Sequence, residues 1–155
     1  MTAEKKITEL GLRLPRAPGP GGVYQPVLVH ENLAYVSGHG PLLEDQTYIT
    51  GRVGSDLDVA AAKDAARQTG LAILASLQLK FGSLDKVGRL VKSFGMVNAE
   101  PDFSQHPQVI NGYSELMREV FGEENGIGAR SAVGMGSLPG NMAVEIEAVF
   151  EIGFD

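Results

Sequence analysis

Arg130 is the one charged residue in the stretch GARSAVGMGSLPG, Gly128 to Gly140, in which the other residues are small, apolar or turn-forming. Read as a strand over 130–136, the stretch puts Arg130, Ala132, Gly134 and Gly136 on one face. Three of the four carry almost no side chain, so the guanidinium would stand at the edge of a shallow space floored by backbone. A cation in such a place suits a planar carboxylate, which it can grip through two parallel hydrogen bonds. The next strand, 143–152, alternates cleanly. Val144, Ile146, Ala148, Phe150 and Ile152 form one face; Glu145, Glu147, Val149 and Glu151 form the other. Folding 130–152 back as a hairpin around SLPGNM pairs Val133 with Ile146 and Met135 with Val144, and puts Arg130 on the face of the glutamates. The alternative is an exposed strand-end arginine paired with Glu145 or Glu147, a contact of small energetic weight.

These residues need a scaffold, and the chain supplies two strong helical patterns. Residues 59–81 are mostly helix formers, with Asp58 as N-cap, Gly82 as C-terminal stop, and Ala62, Ala65, Ala66, Thr69, Ile73 and Leu77 as an apolar face. A second helix is expected over 105–121, with Ser104 as cap, Pro107 in the first turn and Gly122 at its end. Strands are expected within 23–38, as two short runs turning at 30–32, and over 87–99. Residues 3–12 are compatible with a short helix, and the Pro- and Gly-rich run 14–22 must be irregular. Strands clustered around two helices predict an α+β fold with both helices on one face of the sheet. The 155 residues read as one domain, 1–155, with 1–22 as an N-terminal extension.

Composition removes several chemistries. There is no cysteine, hence no disulfide, thiolate metal site or thiol nucleophile. His30, His39 and His106 lack zinc-type spacing and read as loop or surface residues, so no metal and no cofactor is expected. The net charge is −6 and the basic residues are scattered, which argues against a nucleic-acid partner. With no long apolar run and no secretory leader, the chain reads as a cytoplasmic protein without a membrane partner.

The closing stretch, with Arg130-Ser131, Leu138-Pro139 and Val144-Glu145-Ile146-Glu147-Ala148, resembles the Rid/YjgF family of reactive-intermediate deaminases, also called L-PSP endoribonuclease-like. Ser37-Gly38 in AYVSGHGPL is similar to the family's Ser-Gly strand end, and Tyr24 lies where many members carry tyrosine. The insertions match a longer branch of the family. The resemblance implies a chorismate-mutase-like fold, a homotrimer with a central β-barrel, and ligand clefts between subunits. It implies that Arg130 holds the carboxylate of a 2-imino or enamine acid and that Glu145 orients or activates water. Tyr24, Ser37, Gly38, His39, Asn111 and Ala132 would form the substrate-binding surround. The implied reaction is hydrolysis of an imine to a 2-oxo acid and ammonia. Two departures stand out: Ala132 replaces a frequent cysteine, and His39 replaces a glutamine. A non-catalytic carboxylate-binding protein is the alternative; an endoribonuclease or translation inhibitor fits the charge least well.

Overall fold

The computed structural model describes residues 1–153. Helix α1 (Ala3–Glu9) precedes strands β1 (Val27–His30) and β2 (Leu33–His39). Helix α2 (Val59–Phe81), strand β3 (Val87–Asn98), helix α3 (His106–Gly126), and strands β4 (Ala129–Met135) and β5 (Val144–Ile152) follow. The strands make one mixed sheet in the order β1-β2-β5-β3-β4. The fold is α+β, with α2 and α3 packed on one face of the sheet.

The helix ends follow local chemistry. The Asp58 side chain accepts a hydrogen bond from the Ala61 amide, and Gly82 closes α2 in the left-handed conformation at φ 79°. Ala62, Ala65, Ala66, Thr69, Ile73 and Leu77 are all buried. α3 starts one residue later than expected. Gln105, not Ser104, precedes it, without a side-chain cap. Gly122 does break the helix, at φ 87°, but another turn follows and carries α3 to Gly126. α1 belongs to the packed core through Ala3 and Ile7. Glu4 ties it down, accepting from the Leu84 amide (2.8 Å) and from the Gln78 amide group (3.1 Å).

The expected hairpin between β4 and β5 does not form. β5 lies between β2 and β3, antiparallel to both. β4 pairs instead with the far side of β3, in parallel, with Arg130 opposite Ser93, Ala132 opposite Gly95 and Gly134 opposite Val97. The pattern of β5 predicted its faces: Val144, Ile146, Ala148 and Phe150 are buried under the helices. Alternation fixes which way side chains point, not which strand lies alongside. β5, apolar along one whole face, takes the centre, while the glycine-containing β4 takes an edge.

The faces of β4 are therefore reversed from expectation. Ser93 is buried and its hydroxyl bonds the Tyr113 hydroxyl of α3 at 2.8 Å, so Ser93 and its partner Arg130 face the helices. Val133, expected in the core, is opposite Met96 on the open face. That open face also carries Leu28, Tyr35, Phe94, Val149, Lys92, Glu145 and Glu147.

α2 and α3 touch where Gly112 meets the Lys63 backbone carbonyl; a Cβ at Gly112 would collide with that oxygen. Ion pairs Lys63–Glu115 (3.1 Å) and Arg67–Glu119 (3.0 Å) flank the contact. Because the obstacle is backbone, no rotamer change relieves it. Gly112→Ala should destabilise the fold by about 1–3 kcal/mol, read as a lower urea midpoint at unchanged slope.

Candidate functional site

The candidate residues fall into two groups on opposite faces of the sheet. The first forms around an irregularity in β2. Val36 is opposite Ala148 and His39 is opposite Ile146, so three steps along β2 match two along β5. This one-residue bulge places Ser37 and Gly38 beside Glu145 and turns His39 inward to the helices. The Ser37 hydroxyl donates to the Gln25 carbonyl (2.7 Å), anchoring the segment that carries Tyr24. The Tyr24 hydroxyl accepts from the Gly21 amide at 2.9 Å. A Cβ at Gly38 would lie 2.8 Å from a Glu145 carboxylate oxygen, so only glycine lets that carboxylate rest over the β2 backbone. Burial, then the negative charge of Glu147, pushes the Glu145 carboxyl above the usual carboxylate range. Tyr24, Ser37, Gly38, His39 and Glu145 line a cavity of about 560 Å³.

His39 is not a surface residue. It is buried, its Nδ1 lies 2.6 Å from the Ser37 carbonyl and its Nε2 lies 2.7 Å from the Ser76 hydroxyl. A carbonyl only accepts, so Nδ1 carries the proton and Nε2 accepts from Ser76. Burial lowers the pKa of the ring below its ordinary value. His39 thus pins the bulge to α2 as a neutral imidazole.

The second group centres on Arg130. One guanidinium nitrogen donates to Asn111 Oδ1 (2.8 Å) and to the Ser114 hydroxyl (3.0 Å). Asn111 and Ser114 are three residues apart on α3 and so share a face. Burial favours loss of the Arg130 proton slightly, but a guanidinium stays charged. Among the described residues Arg130 forms no ion pair; the expected partners Glu145 and Glu147 lie across the sheet. Arg130, Asn111, Ser114 and Ser93 line a second cavity of about 320 Å³. Ala132 is next along the same face of β4 and packs on the core. Ser114 was not singled out from the sequence; its spacing from Asn111 was the available signal. Tyr48 and Met142, which line the first cavity, had none, since they lie in loops.

Among the described residues, no group of three or more His, Asp or Glu side chains converges as a metal site, and no helix is long and apolar enough to cross a membrane. His106 stacks edge-on against Phe103, ring centroids 5.1 Å apart.

A family model described as "YjgF/chorismate mutase-like, putative endoribonuclease" matches residues 4–146. The chain belongs to this family. It is 38% identical to Protein TCP17 of Trypanosoma cruzi over 94% of this chain and 91% of that one. The crystal structure of Atu1372 from Agrobacterium tumefaciens, a protein of unknown function, is 43% identical and superposes with a TM-score of 0.89, covering 97% of this chain and 92% of the other. E. coli TdcF, solved with bound serine, shares the fold at 24% identity and a TM-score of 0.62, over 88% of this chain and 93% of that one.

His39 predicts a pH dependence of stability. The unfolded ring takes up a proton near pH 6.5, whereas the folded ring resists it to lower pH. Between those two values the unfolded state binds more protons, so stability falls as pH drops below about 6.5 and is fully present above it. The slope from one proton is at most about 1.4 kcal/mol per pH unit. His39→Gln should flatten this part of the profile in urea unfolding across about pH 5–8.

Proposed function

We propose that the protein hydrolyses reactive 2-imino and enamine acids, such as 2-aminoacrylate, to 2-oxo acids and ammonia. The observation that carries this reading is Arg130. Two neutral oxygens from α3 fix one edge of its guanidinium without cancelling its charge. A cation so aimed, with no carboxylate partner among the described residues, is a receptor for a small carboxylate. The serine bound by TdcF carries the same carboxylate and α-nitrogen as the proposed imine.

The second group is Glu145. Water adds across the C=N bond, its oxygen to carbon and one proton to nitrogen; the resulting hydroxyl then gives its proton to the nitrogen, the C–N bond breaks, and ammonia leaves as the C=O bond forms. A carboxylate whose pKa is raised is a stronger base, so it can accept a proton from water and return it to the nitrogen. For an enamine, protonation at the terminal carbon first gives the imine. The imine carbon is already electrophilic, so orientation of substrate and water supplies much of the acceleration.

Arg130 and Glu145 of one chain cannot grip the same small acid. Their register partners on β3, Ser93 and Met96, are three residues apart, about 10 Å, and the two side chains leave opposite faces. The reading therefore includes a homotrimer with a central barrel, in which the cleft joins Glu145 of one copy to Arg130 of the next. The open face, with Leu28, Tyr35, Phe94, Met96, Val133 and Val149, is apolar enough to need such cover. Sedimentation at micromolar concentration should give a trimer; a stable monomer would dismantle the cleft.

A carboxylate-binding protein without turnover is the second reading. It is favoured by Ala132, which brings no reactive group, and by His39, whose ring nitrogens are both engaged. Saturable binding of 2-oxo acids with no imine hydrolysis would identify it. Ribonuclease action fits least well with a charge of −6 and scattered basic residues.

Arg130→Ala should cost about ten- to a hundredfold in imine turnover or oxo-acid affinity, the value of roughly 1.5–3 kcal/mol for charged hydrogen bonds. Arg130→Lys keeps the charge but lacks the fork and should also weaken binding clearly. Thermal stability should change little in either. Full function in Arg130→Ala sinks the assignment.

A further inference from the structure

The cavity around Glu145 is far larger than a three-carbon acid requires. Its volume of about 560 Å³ lies in the range of sites that enclose drug-sized ligands. Much of its lining is apolar or aromatic: Pro18, Tyr24, Tyr48, Pro139 and Met142. Within one chain no lysine or arginine lines it, and its one carboxylate is Glu145. With Arg130 of the next copy engaged by the ligand's own carboxylate, an acidic side chain placed there would meet Glu145 with no further cation, whereas an apolar one would displace water from apolar surface.

The wall is built, not incidental. Tyr48 and Met142 converge over Gly40: a Cβ there would lie 3.1 Å from the Tyr48 ring and 3.1 Å from the Met142 methyl. Tyr48 sits on a tight loop closed by Leu43 and Thr47 (2.8 Å) and braced by the Asp45 carboxylate, which accepts from the Thr47 hydroxyl at 2.6 Å. Gln68 of α2 donates to the Leu42 carbonyl at 2.6 Å and fixes that loop to the core. Met142 is held from the other side. Buried Asn98 donates to the Met142 carbonyl and to Asn141 Oδ1, both at 3.1 Å. A ring presented by the ligand would meet a tyrosine ring on a braced loop and a thioether, both favourable partners for an aromatic group.

We infer that this cavity is the side-chain subsite for a 2-imino acid bearing an aromatic side chain, with Tyr48 and Met142 as its specificity-determining residues. The inference rests on the deaminase reading for the identity of the reacting end. It adds which member of the substrate class the protein prefers.

The test presents the imines formed by an amino-acid oxidase from phenylalanine, alanine and glutamate, with semicarbazide as a competing trap. The phenylalanine-derived imine should show a kcat/KM about tenfold or more above the alanine-derived one, and the glutamate-derived imine should be slowest. Tyr48→Ala and Met142→Ala should each reduce the aromatic-to-small ratio severalfold, while Tyr48→Phe, which keeps the ring, should retain it. Melting temperatures check that each variant folds; if Tyr48→Ala does not, the wild-type ratio and Met142→Ala still decide. Equal or faster turnover of the alanine-derived imine overturns the inference and leaves the deaminase reading standing. If no imine is hydrolysed, the deaminase reading falls and calorimetry with phenylpyruvate and pyruvate decides the subsite alone. About tenfold tighter binding of phenylpyruvate then supports it, and equal affinities overturn it.

Discussion

β3 must pair on both sides, and the two pairings have opposite sense. With β5 it is antiparallel; with β4 it is parallel. A parallel neighbour cannot follow through a tight turn, so the chain must cross over between β3 and β4, and α3 is that crossover. Everything around Arg130 depends on this. Because β4 runs beside β3 in register Arg130 to Ser93, the guanidinium rises into α3 and finds Asn111 and Ser114. Had β4 paired with β5 as a hairpin, the same residue would have met glutamates on the open face and become an ordinary ion-pair partner.

A smaller constraint organises the other cavity. One extra residue in β2 lets Ser37 and Gly38 lie beside Glu145 while His39 turns inward and locks to Ser76. The bulge is held by protein groups at both ends: the Ser37 hydroxyl on Gln25 and the imidazole on α2. Asn98, at the end of β3, extends the same logic to the opposite wall by holding Gly51, Asn141 and Met142 together. These hydrogen bonds tie the loops to the sheet and to α2, the kind of support that orientation of a small ligand demands.

The division of Arg130 and Glu145 between two faces has an energetic consequence. Within one chain they do not neutralise each other. Arg130 keeps its charge beside neutral oxygens, and Glu145 sits where burial and Glu147 disfavour its ionised form. In the proposed reading both groups are left poised, since what would complete each of them is the ligand and a second copy of the chain.

Much of this was legible in local sequence. Asp58 and Gly82 bound α2, Gly122 interrupts α3, and the alternation in β5 reports which of its residues are buried. These follow from interactions within a few residues: a side chain on a nearby amide, a left-handed glycine, a period of two. The motif around Arg130, Leu138-Pro139 and Glu145 was also enough to identify the family. Neighbours along the sheet were not legible, because alternation is blind to which strand supplies the hydrogen bonds. That one ambiguity reversed the face of Arg130 and hid Ser114. The inward turn of His39 was hidden for a related reason. A bulge is one residue of mismatch between two strands distant in sequence, and only their pairing reveals it. Local chemistry set the elements and singled out the candidate groups; the tertiary pairing of β3 and the bulge in β2 decided which groups meet, because hydrogen-bond partners across a sheet are chosen by the whole chain.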